Sequence, residues 1–255
     1  MLALTQGDPA GIAPEITVKA WRILRENKLP FVFVGDPTLL EQHAPVQAVR
    51  YLEQGSDIFS HAIPVLPLRL ATPASPGEPD RQNASSVIES IRLAVELAQN
   101  GEASAIITNP ISKEVIQSAG FKHPGHTSYL AELCHVPGQE GMMLAGPSLK
   151  VVPVTVHVSL RHALEQLNTE LIIKTARTVA TGLKRDFGLK APRIAVAGLN
   201  PHAGENGLMG HEEQQIIIPA IKALQKEGLN ITGPMPPNTM FTPAARSHYD
   251  VALCM

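Results

Sequence analysis

Two cysteines, Cys134 and Cys254, are all that this 255-residue chain contains, too few for a disulfide framework or a paired-cysteine zinc site. A basic field is missing as well. Lysine and arginine number 21 against 23 aspartates and glutamates, a formal charge of −2, so nothing here grips a phosphate backbone and nucleic acid is excluded as a partner. No apolar run approaches the ~20 residues that cross a bilayer, and the opening MLALTQGDPAG lacks the charged and long apolar regions of a secretion signal. The expectation is a cytoplasmic protein without a membrane partner. Neither G-x-G-x-x-G nor the P-loop pattern occurs, so no glycine fingerprint argues for a dinucleotide.

What is present is a chain 44% hydrophobic, enough to bury a core as one large domain or two smaller ones. Apolar runs that suit buried strands alternate with stretches of helical spacing, which defines an α/β protein. The strand candidates are Leu2–Thr5, Phe31–Val34, Ala103–Thr108, Met142–Ala145, Val151–Val156, Arg193–Ala197 and Val251–Cys254. Several are apolar throughout, as strands covered on both faces are. A helix is expected over Ser85–Asn100, with a serine cap candidate and a stop at Gly101. Another covers Thr169–Phe187, with Ile172, Ala176, Val179 and Leu183 on one stripe. The proline-rich segment 64–83 reads as a long surface connection. No internal repeat or low-complexity tract is visible.

Five stretches carry chemistry. TQGDPAGIAPEI, residues 5–16, puts a glycine-rich turn after the first strand, with Pro14 and Glu15 suited to the next helix's first turn. It is either a ligand loop or a turn that needs glycine for backbone reasons. TNPISKEVI at 108–116 opens a helix at Ser112 with Lys113 beside it, which favours an anion such as phosphate, or is an ordinary cap with a solvated lysine. His126 and Thr127, just after Gly125, stand where a helix begins and could hold a carboxylate or phosphate there, or serve as cap and exposed ring. His157 follows the strand Val151–Val156, and Ser159-Leu-Arg161-His162 turns the chain into a helix. His202 occupies the equivalent place after its own strand, in GLNPHAGENGLMGHEE at 198–213. Each is either a hydrogen-bonded structural histidine or one of two neutral imidazoles converging on a divalent metal.

The ordered set GDPAGIAPE, TNPISKE, GHTSYLAE, HVSLRHAL, GLNPHAGENGLMGHEE and GPMPPNTMF resembles the PdxA family of 4-hydroxythreonine-4-phosphate dehydrogenases from the first residues to the last. The resemblance implies an isocitrate/isopropylmalate dehydrogenase-like two-lobed α/β fold, with a central mixed sheet and flanking helices. Residues 1–255 then form one unit of two lobes with the cleft between them. It implies oxidation of a phosphorylated hydroxy amino acid's C3 hydroxyl by NAD or NADP and decarboxylation to 3-amino-2-oxopropyl phosphate, in pyridoxal phosphate biosynthesis. It also implies a divalent metal (zinc, magnesium, manganese or cobalt) on three histidines, two of which match His157 and His202. The family's substrate-binding pair falls on His126 and Thr127, and the family works as a homodimer with its site at the subunit interface. No catalytic acid or base is assigned.

Three departures accompany the resemblance. Ala13 replaces the second glycine of the family's G-I-G-P-E opening, and Asn238 stands where an aspartate usually precedes Thr-x-F, which removes a carboxylate and any acid-base duty of that position. The family continues past position 255 into its third histidine and most of its NAD and phosphate contacts. The expectation is therefore either a fragment of a longer protein or a truncated, inactive remnant. A sister dehydrogenase of 4-phosphothreonate or 4-phosphoerythronate shares every motif named. An acyl- or phosphotransferase on a related fold gives the histidine pair no role.

Overall fold

Strand β1 (Leu2–Thr5) runs parallel between two partners, with Leu2 facing both Phe31 and Ala105. The computed structural model describes residues 1–26 and 29–255, which divide into units Met1–Gly138 and Gln139–Met255. In the first, β1 is followed by α1 (Ala13–Leu24), β2 (Phe31–Gly35), α2 (Thr38–Glu41), β3 (Val46–Ala48), α3 (Gly55–Ile58) and β4 (Ile63–Pro67). Then come α4 (Ala84–Gln99), β5 (Ala105–Ile107), α5 (Lys113–Ser118) and α6 (His126–Leu133). The sheet order is β3-β4-β2-β1-β5, parallel throughout.

Successive residues of β2 point to opposite faces and fill two cores. Val32 and Val34 pack with Ala3, Ile58, Ala94 and Leu97, whereas Phe31 and Phe33 pack with Leu4, Val18, Trp21 and Leu40. Burying each such side chain contributes about 1.5–3 kcal/mol. The sheet grows one way from β1 through β2 and the other way to β5, so the carboxyl ends of β1 and β5 mark its switch point. That point is closed by packing. The Asn109 amide donates to the Thr5 carbonyl (3.0 Å) and the Thr17 hydroxyl (2.9 Å). Gly7, at φ +73°, has no room for a Cβ, which would lie 2.6 Å from Asn109 Cβ and 2.8 Å from the Pro110 carbonyl. The glycine of GDPAG is there for the backbone. Ala13 begins α1 and is absent from the positive-φ residues, so no glycine is required at its position.

The second unit contains β6 (Leu144–Gly146), β7 (Leu149–Pro153), α7 (Leu160–Gln166), α8 (Thr169–Asp186) and β8 (Ile194–Ala197). A π-helical turn (Glu213–Ile217) leads into α9 (Ile218–Lys226), followed by β9 (Ile231–Met235), α10 (Pro237–Met240), α11 (Pro243–Arg246) and β10 (Val251–Cys254). The order is β6-β7-β10-β8-β9, with only β6 antiparallel. Val251 and Leu253 face the larger core with Ile172, Ala176, Val179 and Leu183 of α8 and Leu224 of α9. Ala252 turns the other way, toward Met240 and Tyr249. Asn168 caps α8 by accepting from the Leu171 N–H (2.8 Å), while Glu170 in its first turn and Lys184 and Arg185 in its last match the helix dipole.

The α/β class and the seven strand candidates hold, with ends shifted by a few residues, and the mixed sheet is that of the second unit. Other expectations need correction. The segment 64–83 is not wholly a connection, because its start lies in β4, where Ile63, Pro64 and Val65 are buried. Strands β3 and β9 add to the candidates. β5 and β6 are largely exposed edge strands rather than strands covered on both faces. Ser85 caps nothing, since α4 starts at Ala84 behind Asn83. Among the described residues no helix is long and apolar enough to cross a membrane.

Gly7→Ala is expected to destabilise the fold by about 1–3 kcal/mol through overpacking and the positive φ. The urea midpoint reads this, and an unchanged midpoint contradicts the close approach of Gly7 to the Asn109 side chain and the Pro110 carbonyl.

Candidate functional site

In the second unit β7, β10 and β8 lie side by side and parallel, so the segments leaving β7 and β8 emerge at the same edge of the sheet. That edge receives His157 from one side and His202 from the other. The carboxyl end of β10 lies between them, tied to the β7 side by the Val154 N–H to the Cys254 carbonyl (2.7 Å) and the Thr155 hydroxyl to the Met255 carbonyl (2.8 Å). Strands β7 and β8 are two strand spacings apart, about 10 Å. Both histidines are exposed, and both have left-handed backbone, φ +58° at His157 and +51° at His202. Such strain in a non-glycine residue concentrates at functional sites. Among the described residues no three histidine, cysteine or acidic side chains are grouped to hold a metal; the structure supplies the two imidazoles.

The His202 segment is the more unusual. His202, Ala203, Gly204, Glu205 and Asn206 all have positive φ, from 41° to 77°, a left-handed turn that costs about 1–2 kcal/mol per non-glycine residue. Beneath it sits Glu213, 2% exposed. Its Oε1 accepts from the backbone N–H groups of Leu199 (2.8 Å) and Asn200 (2.7 Å), and its Oε2 from the Asn200 side-chain amide (2.9 Å). At the end of the stretch 198–213, Glu213 reads from the sequence as one more acidic residue of a helix start. Asn238 is exposed on α10, which packs beside this turn.

In the first unit the structure joins two stretches that the sequence leaves apart. Ser112 caps α5 by accepting from the Val115 N–H (3.4 Å). Lys113 at that helix start comes close enough to α6 that its Nζ stands 3.9 Å from where a Gly125 Cβ would be. His126 is the first residue of α6, half-buried, with Thr127 exposed after it and no side chain capping the helix. The Nε2 of His126 is buried without a partner. Burial first, and then the Lys113 charge, hold this imidazole below its ordinary pKa, so it is neutral at pH 7. A lysine, a neutral imidazole with a free nitrogen and open helix amides suit a carboxylate or phosphate. Phe121, His123 and Tyr129, just before and within α6, form a ring cluster with centroids 4.9–5.1 Å apart.

Open α/β sheets bind ligands, where they bind them, at the carboxyl ends of their strands, and the architecture is of the isocitrate/isopropylmalate dehydrogenase type. The family described as pyridoxal phosphate biosynthetic protein PdxA matches residues 26–255. A 4-hydroxythreonine-4-phosphate dehydrogenase of Bradyrhizobium diazoefficiens is 49% identical over 272 residues, taking in 100% of this chain and 79% of its own length. The crystal structure of the enzyme of that name from Klebsiella pneumoniae superposes with a TM-score of 0.91 at 36% identity, over 100% of this chain and 80% of its own. A terephthalate 1,2-cis-dihydrodiol dehydrogenase from Burkholderia xenovorans follows at 0.65 and 27% identity, over 99% and 78%. This chain belongs to the PdxA family.

The lowered pKa of His126 has a consequence for stability. The unfolded chain takes up a proton at the ordinary imidazole value, about 6.5, before the folded chain does. The contribution of His126 is thus full above that pH and is lost as pH falls through the folded value. NMR titration should place the His126 midpoint below that of an exposed histidine. Lys113→Met should raise it only partway, because burial is the larger cause; a midpoint unmoved by that change contradicts the placement of Lys113.

Proposed function

We propose that this protein oxidises 4-hydroxythreonine 4-phosphate at its C3 hydroxyl, with NAD or NADP as hydride acceptor, and decarboxylates the β-keto acid to 3-amino-2-oxopropyl phosphate. The observation that carries the reading is the pair His157 and His202, raised on left-handed backbone at one sheet edge on either side of β10. Exposed imidazoles on strained backbone gain nothing from packing there, and they fit a divalent cation such as zinc, magnesium, manganese or cobalt. When bound, such an ion supplies Lewis acidity to the substrate oxygen in both the oxidation and the carbon–carbon cleavage. As neutral ligands, His157 and His202 leave the ion its full charge.

His126 and Thr127 are the proposed substrate contacts. The free Nε2 of a neutral His126 can donate or accept, the Thr127 hydroxyl adds a donor, and the Lys113 ammonium attracts an anionic group of the substrate. We assign no general acid or base, since Asn238 offers no carboxylate. A homodimer is part of the proposal. Helix α7 buries none of its residues, and Leu160, 88% exposed, stands near Val156 and Val158 in sequence, all of them exposed, an apolar stretch that a second copy can cover. The dihydrodiol dehydrogenase relative is named for another substrate, so substrate choice varies among chains similar to this one; a related phosphorylated hydroxy acid such as 4-phosphothreonate is the second reading, and a substrate panel separates the two.

His202→Ala is expected to lower turnover at least a hundredfold, while circular dichroism and the melting temperature stay near those of the unaltered protein. Near-normal turnover contradicts the role of His202. Zinc or manganese should raise the melting temperature of the unaltered protein and not that of the variant.

A further inference from the structure

We propose that Glu213 is the positioning residue for His202, acting through the left-handed turn on which the imidazole stands. The reach of this proposal to metal binding rests on the reading of His202 as a ligand. The carboxylate is almost wholly buried and its two oxygens receive three donors, all from Leu199 and Asn200, the residues just before the turn. The Asn200 amide continues to Glu212 Oε2 (2.7 Å), so both oxygens and the amide are engaged. The turn is folded tightly over this carboxylate. A Cβ on Gly204, which has φ +77°, would come within 2.6 Å of Glu213 Oε2, and one on Gly198 would lie 2.8 Å from Ala203 Cα and 3.2 Å from Glu213 Oε1.

Glu213 itself is fixed from below. It opens the π-helical turn that runs into α9, whose neighbouring residues Ile217, Ile221 and Leu224 are in the core. A rigid helix start thus holds a fixed anion under a strained loop, and charge-assisted hydrogen bonds are the strong kind that can offset the cost of left-handed backbone. Glutamine cannot replace it. With Oε1 kept on the two backbone donors, its amide nitrogen would face the Asn200 amide, donor against donor. The chemistry is that of an outer partner that orients a ligand, whose removal typically weakens metal binding 10- to 100-fold.

The test compares the unaltered protein with E213Q, G204A and H202A by zinc titration calorimetry and by amide hydrogen exchange. E213Q should weaken zinc binding about 10- to 100-fold and speed exchange at 199–206 about tenfold or more, with the β7, β8 and β10 amides unchanged. G204A keeps the carboxylate but pushes the turn off it, so it should act in the same way, and it decides the matter if E213Q fails to fold. H202A should lose zinc while its Leu199 and Asn200 amides stay protected, which separates ligand from support. If H202A binds zinc as the unaltered protein does, the ligand reading fails and exchange at 199–206 alone judges Glu213. Unaltered exchange at 199–206 in the folded variants overturns the proposal, as does unaltered zinc affinity where zinc binding depends on His202.

Discussion

The arrangement at the second sheet depends on one insertion: β10, the last strand in the chain, lies between β7 and β8 and runs parallel to both. Val251 and Leu253 lock it into the core on one face, and Ala252 leaves room for Met240 and Tyr249 on the other. With that strand in place, β7 and β8 share a direction and a carboxyl edge, and His157 and His202, 45 positions apart in the sequence, come to one side of the sheet. Were β7 or β8 reversed, the two rings would leave from opposite ends and no small ligand could meet both. The parallel register is therefore the precondition of the proposed chemistry, and the cores of α8 and α9 maintain it.

A second constraint acts on the loops. The first unit closes its switch point with neutral packing, Gly7 against Asn109, and keeps that region buried. The second unit instead places a fixed negative charge beneath a strained turn and leaves the histidine outside. The contrast explains why two polar, glycine-bearing loops at strand ends differ in kind: one is a tightly packed turn of the backbone, the other a strained turn that presents a side chain. The corner of Lys113 and His126 is a third arrangement, in which an imidazole nitrogen is left without a partner beside a cation.

Much of this was legible in the residues. The runs LALT, FVFV and VALC announce strands because nothing polar interrupts them, and Ile172, Ala176, Val179 and Leu183 trace the buried stripe of α8. Strand β4 was hidden by Pro64 and Pro67, since proline removes a ladder donor and argues against an interior strand, and β9 by Gly233-Pro234 in its middle. The positions of His157 and His202 after strands could be read, and so could His126 at a helix start. Glu213 could not, because its importance lies in burial and in donors 13 and 14 residues back, and neither leaves a local pattern. The closeness of Lys113 to Gly125 is likewise a matter of distance, which spacing along the chain does not encode.

If two imidazoles from separate strand ends hold one cation, a paramagnetic ion bound there must act on both rings at once in the NMR spectrum. On titrating manganese into the protein with labelled histidines, the ring signals of His157 and His202 should broaden together, at the same added metal, ahead of the other eight histidines. Broadening of only one of the two, or of all ten alike, would mean that His157 and His202 do not share a cation.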